Sequence, residues 1–334
     1  MIARAQISRY IHPIGLQYRR YSSTVSGPLS RQHIDTFLDV GYVVVPGLIP
    51  PELVTRHREQ VLQFAEKHGV RQDDPSTWKN FSNIGRGFGG MIEFMHGEAA
   101  NHIRQLDSLH LAYAQLFEAT YCEDDTQWPN RLGSFSPERM YCFLNRCCYR
   151  APSKDNAPQR DTGVHLDLNP YDPFQLNEAG TSQLMFWQPI QGMLAVTDSL
   201  QRGSGGFTDH TDVKQEAPKD LSLKRGNATD LNDRFPPEKM EFVPLKEGDF
   251  LFWDWRLPHS SEAENREGFR QVLYVGHLPD VQLNRDFIER QKTILETGRH
   301  HNFMSKKFID IEVDGYKPFE WSPLGKNLMG LQPW

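Results

Sequence analysis

The chain has 334 residues, 38% hydrophobic and 24% charged, which is the composition of an ordinary globular protein with enough length to bury a sizeable core. A formal net charge of −6 gives no support to a nucleic-acid partner, so any anionic ligand needs a local basic pocket rather than a basic surface. No apolar run approaches the roughly 18–20 residues of a membrane helix, and the expected partner is a small molecule, with the oligomeric state left open.

The first segment, MIARAQISRYIHPIGLQYRRYSSTVSG, carries arginines at positions 4, 9, 19 and 20, several serines, and no acidic residue before Asp35. Arg-rich, Ser-rich and acid-poor is the composition of an organelle transit peptide. RRYSS resembles a matrix-peptidase cleavage context, with cutting near Tyr21–Ser22. The expected address is the mitochondrial matrix; the alternative is a disordered basic tail on a cytoplasmic protein. Residues 1–25 are therefore set apart from the fold, and residues 26–334 are read as one domain.

GPLSRQHIDTFLDVG predicts a short helix, with Ser30 to cap its start, Ile34, Phe37 and Leu38 as its apolar stripe, and Gly41 to stop it. YVVV follows as a strand. PPELVTRHREQVLQFAEKHG predicts a second helix, with proline in its first turn, Leu53, His57, Val61 and Phe64 at helical spacing, and Gly69 at its end. ANHIRQLDSLHLAYAQLFEATY predicts a third. GRGFGG, residues 85–90, lacks the spacing of a dinucleotide fingerprint and follows no clear strand, so it reads as a flexible lid.

From about residue 138 the segments become short, aromatic and β-branched: RMYCFLNRCCYR, GVHLDL, QLMFWQPIQGMLAVTDSL, MEFVPL, DFLFWDW and RQVLYVGHL. Short strands between turn-rich loops predict an antiparallel sandwich or barrel over about 138–280, with the helices packed outside and an extension over 281–334. Cys122, Cys142, Cys147 and Cys148 form no CxxC pair and read as reduced core or strand residues. The aromatic tail YKPFEWSPLGKNLMGLQPW is expected over the barrel or in an oligomer contact.

Within GVHLDL, His165 and Asp167 are two apart, so on a strand both side chains leave one face while Val164, Leu166 and Leu168 enter the other. An imidazole and a carboxylate aimed together are two-thirds of a 2-His-1-carboxylate facial triad, the mark of a non-haem Fe(II) oxygenase. The motif alone is weak, because His210 and Asp212 repeat it in a glycine-rich loop. His259, after Pro258 and 94 residues beyond His165, is the candidate third ligand. Arg270, eleven residues further, opens the next strand. Two antiparallel strands joined by a short loop would set it beside His259, where a guanidinium clamps a carboxylate bidentately. Arg266 is the rival for that role, and each histidine also has an ordinary reading as a core or loop residue.

HLD…H…R, with the distal histidine eleven residues before the arginine, resembles the phytanoyl-CoA dioxygenase family of Fe(II)/2-oxoglutarate oxygenases. LSRQHIDTFLDVGYVVVPGLIPPELV and GMLAVTDSLQRGSGGF are similar to that family's opening and to its central strand and turn. The chain departs where members continue into Pro-Gly-Ser-His: it has TDHTDV, so no role passes to His210. The resemblance implies an α+β fold, a double-stranded β-helix (a cupin-like jelly-roll barrel) flanked by N-terminal helices. It implies Fe(II) on His165, Asp167 and His259, 2-oxoglutarate held by Arg270 with help from Ser261, dioxygen as oxidant, and ascorbate as a supporting reductant. The implied reaction hydroxylates a small organic or acyl-CoA substrate and releases succinate and carbon dioxide. Asp167 argues against a halogenase, whose metal site has a small residue there. Two other readings stay open: a catalytically silent jelly-roll sensor of metal or 2-oxoglutarate, and a metal hydrolase that would not need Arg270.

Overall fold

The computed structural model describes residues 24–85, 90–123, 132–152, 163–167, 185–209, 229–230, 240–262, 264–266, 268–301, 308–309 and 311–334. The basic N-terminal segment, the GRGFGG core at 86–89 and the second HxD motif at His210–Asp212 lie outside them.

Ser30 caps α1 (Arg31–Val40): its hydroxyl accepts from the His33 amide, and His33 Nδ1 accepts from the Ser30 amide. Gly41 ends the helix at φ 84°, a left-handed conformation that glycine adopts without the clash a Cβ would bring. β1 (Tyr42–Val45) follows, then α2 (Pro51–Lys67), which buries Val54, His57, Val61 and Phe64. A 3-10 helix spans Pro75–Asn83, ahead of β2 (Met91–Ile92). The predicted third helix is two helices, α3 (Glu98–Arg104) and α4 (Asp107–Thr120). No glycine or proline breaks them. Leu106 adopts extended backbone at ψ 131°, while Gln105 Oε1 accepts from the Ser322 amide and the buried Arg104 guanidinium donates to the Met95 and Asn145 carbonyls. These bonds to distant chain fix the corner.

The strands then run β3 (Met140–Phe143), β4 (Cys147–Arg150), β5 (His165–Leu166), β6 (Ile190–Ala195), β7 (Phe207–Asp209), β8 (Thr229–Asp230), β9 (Glu241–Phe242), β10 (Phe250–Asp254), β11 (His259–Ser261), β12 (Arg270–Tyr274) and β13 (Gly276–Pro279). α5 (Gln282–Thr297), the pair β14 (His300–His301) and β15 (Phe308–Ile309), and α6 (Pro323–Leu328) complete the chain. One antiparallel sheet has six strands in the order β1-β10-β6-β12-β4-β2, so both of its edges come from the helical first third. A second antiparallel sheet has the order β8-β5-β11-β7-β9.

Alternation along the central strands assigns the two faces of the larger sheet. Phe250, Phe252, Leu194 and Leu273 point into the large core shared with the helices, where Phe37, Phe117 and Tyr113 are also buried. Leu251, Trp253, Met193, Ala195, Val272 and Cys148 point the other way, into a smaller cluster that includes Phe207 of β7, from the second sheet. That inner cluster lies between the sheets. Fully burying one such aliphatic or aromatic side chain is worth about 1.5–3 kcal/mol, so both faces hold β10 in place. The tail closes the helical side: Trp321, Leu328 and Met329 are buried in the large core, and Trp334 Nε1 donates to the Met140 carbonyl. All four cysteines are buried and unbridged. Among the described residues no helix is long and apolar enough to cross a membrane.

Three buried histidines on the helical side tie stability to pH. Burial holds His57 and His277 down to about 3, with the Arg104 charge adding at the first and His110 at the second; burial holds His110 down to about 4. A folded-state value below the unfolded 6.5 means that stability is complete above pH 6.5 and is lost as pH falls toward these values. At pH 5.5, His57 and His277 should each cost on the order of 1 kcal/mol relative to neutral pH. Denaturant unfolding at pH 7.5 and 5.5, in chelator, should show the loss; equal stability at both would contradict it.

Candidate metal centre

β5 and β11 are adjacent antiparallel strands, and their register sets His165 directly opposite His259. The imidazole centroids are 4.5 Å apart. β5 ends at Leu166, so Asp167 follows on a bend rather than within the strand, yet its carboxylate returns to the two rings. Asp167 Oδ1 is 3.6 Å from His165 Nε2, and Oδ2 is 3.6 Å from His259 Nε2. One ligand atom from each of the three residues lies within 4.8 Å of the others. Val164 and Leu166 pack with Met240 on the opposite side.

Both rings are held in the same tautomer. His165 Nδ1 lies 2.9 Å from the Gly163 carbonyl, and His259 Nδ1 lies 2.9 Å from the Leu257 carbonyl. A carbonyl only accepts, so each neutral ring carries its proton on Nδ1 and presents the Nε2 lone pair inward. Phe207 stacks on His259 at 5.8 Å and Trp253 lies 5.4 Å away, so that ring is in an apolar wall. Burial, with the neighbouring His165, pushes His259 down to about 4 against the pull of Asp167, leaving it neutral near pH 7. The two Nε2 atoms and the carboxylate thus converge at separations beyond a hydrogen bond. This donor set fits a cation, and its N,N,O composition fits a facial ferrous site. The Asp167 side chain is 40% exposed, against 7% for His259, so the cluster opens on the carboxylate side.

Arg270 does not lie on a strand paired with that of His259. β11 pairs with β5 and β7, while β12 pairs with β4 and β6, so the loop between them crosses from one sheet to the other. The arginine reaches the inner cluster because it shares the face of Val272 and Tyr274. It is 3% exposed, donates to Cys148 Sγ at 3.4 Å and to the Tyr274 phenol, and has no carboxylate partner among the described residues. Gly205, at φ 70°, lies over its stem: a Cβ there would stand 3.4 Å from Arg270 Cδ and 3.1 Å from Asn265 Cβ. Burial pushes Tyr274 up to about 12, with Cys148 adding and Arg270 opposing, so it stays a neutral donor. Arg266, the rival, is 69% exposed and pairs with Glu264 at the surface. Ser261 is buried on β11, in register with Phe207 and two residues past His259, hence on the same face.

Gln191 and Tyr274 escaped the reading of the sequence. Gln191 Nε2 donates to Asp167 Oδ2 at 2.6 Å. The available signal was a polar residue at an inward position of a strand whose next inward residues are Met193 and Ala195.

The profile of a protein family described as Phytanoyl-CoA dioxygenase (PhyH) matches residues 37–272. No curated protein matches the chain. Among solved structures, the chain is similar in fold to the hypothetical protein JW0805 from Escherichia coli: 17% identity over 90% of this chain and 82% of that one, TM-score 0.66. A putative oxidoreductase from Salmonella typhimurium LT2 is 16% identical over 90% of this chain and 83% of that one, TM-score 0.66. GlcNAc Inducible Gene 2, GIG2 (DUF1479), from Candida albicans is 14% identical over 92% of this chain and 77% of that one, TM-score 0.63.

Proposed function

The chain belongs to the phytanoyl-CoA dioxygenase family, and from that membership we propose that it is an Fe(II)- and 2-oxoglutarate-dependent oxygenase acting on a small organic or acyl-CoA substrate. The observation that carries the reading is the convergence of His165, Asp167 and His259 within 4.8 Å, with both imidazole lone pairs turned inward. The two sheets, with the inner cluster between them, are read as the walls of a double-stranded β-helix.

In this reading His165, His259 and Asp167 hold the ferrous ion on one side and leave the other open to ligands. When bound, the iron supplies the oxidation: dioxygen and 2-oxoglutarate are converted to succinate and carbon dioxide as a substrate C–H becomes C–OH. The protein binds, orients and excludes water. Arg270 clamps the distal carboxylate of the cosubstrate, with Ser261 as a second donor. Its burial without an acidic partner among the described residues supports this, because a buried guanidinium gains most from a carboxylate that arrives as ligand. Phe207 and Trp253 shield the His259 side from solvent.

The test is anaerobic loading with Fe(II) and 2-oxoglutarate, then oxygen together with candidate acyl-CoA and small-metabolite substrates. Succinate should form in step with a hydroxylated product. Binding without succinate across metabolites accumulated in a deletion strain would favour a silent sensor. Turnover independent of 2-oxoglutarate would favour a hydrolase.

A further inference from the structure

We propose that Gln191 is a positioning residue for the Asp167 carboxylate: it holds one oxygen of that group and thereby fixes how the carboxylate meets the metal. The inference rests on the metal-site reading above and goes beyond it, to a residue outside the ligand set. Asp167 follows β5 of the smaller sheet, whereas Gln191 stands on β6 of the larger one, in register with Trp253. Its amide therefore reaches across from the opposite sheet, donating to Oδ2 at 2.6 Å.

The need for such a residue follows from where Asp167 sits. Its backbone has left the strand, and its side chain is 40% exposed, so packing alone does not set its torsions. The two imidazoles are each fixed by a carbonyl at 2.9 Å, but among the described residues the Gln191 amide is the one hydrogen-bond donor to this carboxylate. With Oδ2 engaged, the carboxylate is restrained from turning to chelate through both oxygens or from swinging toward solvent. Either movement would change how many positions the metal has for other ligands. Glutamine suits this position because its amide donates at any working pH and adds no charge beside the ligand. Partners of this kind typically change metal affinity by roughly 10–100-fold when removed.

Gln191→Met keeps length and removes the donor. Cobalt(II) titration of the full chain under nitrogen reads both affinity and, through the visible ligand-field bands, coordination. The wild type should bind one equivalent; Q191M should bind roughly 10–100-fold more weakly with altered band intensities, while its metal-free thermal midpoint stays close to wild type. A residue that only ties the sheets together would lower the midpoint and leave the spectrum of the bound metal unchanged. Identical affinity and spectrum in Q191M would overturn the role of Gln191 while leaving the metal site standing. No cobalt binding by the wild type would instead overturn the metal site, and this role with it. Should Q191M fail to fold, Gln191→Asn, which keeps an amide one methylene too short to reach, replaces it and should weaken binding with the same spectral change.

Discussion

Asp167→Ala is expected to abolish succinate formation and to weaken ferrous binding by more than the roughly 10–100-fold that loss of an outer-shell partner costs. In the proposed site the carboxylate would supply the single anionic ligand, and it stands 3.6 Å from both imidazole Nε2 atoms. Without it, two neutral nitrogens remain, too few to retain a ferrous ion against chelators at ordinary concentrations. Because the side chain is 40% exposed, its loss opens no cavity, and unfolding stability should move by only about 0.5 kcal/mol. Retained iron measured after desalting, together with succinate release, checks the expectation. Unchanged succinate release in D167A would remove Asp167 from the site.

The second large effect is at Arg270. Arg270→Lys should raise the 2-oxoglutarate concentration needed for half-maximal rate by roughly 10–100-fold while changing the maximal rate much less, since it removes binding rather than chemistry. Lysine keeps the charge but offers a point ammonium where the proposed clamp needs a planar fork able to meet a carboxylate through two parallel bonds. It also loses the geometry that lets Arg270 reach Cys148 and Tyr274 together. Arg266→Ala is the control: an exposed pair with Glu264 is worth little, so it should leave the cosubstrate requirement unaltered. Initial rates over a range of 2-oxoglutarate concentrations separate the two arginines, and an equal requirement in wild type and R270K would end the assignment.

These residues differ in how openly the sequence announced them. His165 was legible because a period of two is a local property and Val164 and Leu166 flank it in an apolar layer, whereas Asp167 comes beside it from a bend after the strand has ended, not by the alternation expected of it. α1 was legible for the same reason: Ser30 and Gly41 mark its ends through bonds made within the helix itself. The break between α3 and α4 was hidden, since Gln105 and Arg104 are ordinary helix formers and the corner is fixed by Ser322, Met95 and Asn145. The placement of Arg270 was half legible. Its inward face follows from alternation with Val272 and Tyr274, but that β11 and β12 join different sheets depends on pairing with β5, β7, β4 and β6, none of which adjoins them in sequence. Gln191 needed the distance across the two sheets, which no local pattern carries.

One ferrous ion is expected to bind where His165, Asp167 and His259 meet. Anaerobic titration of the purified chain with Fe(II), followed by 2-oxoglutarate, reads this directly through bound iron and a weak visible charge-transfer band. One iron per chain, with the band appearing only when 2-oxoglutarate is added and absent in D167A, is the expected result. Wild-type protein that retains no iron, or that binds it equally well in D167A, would contradict it.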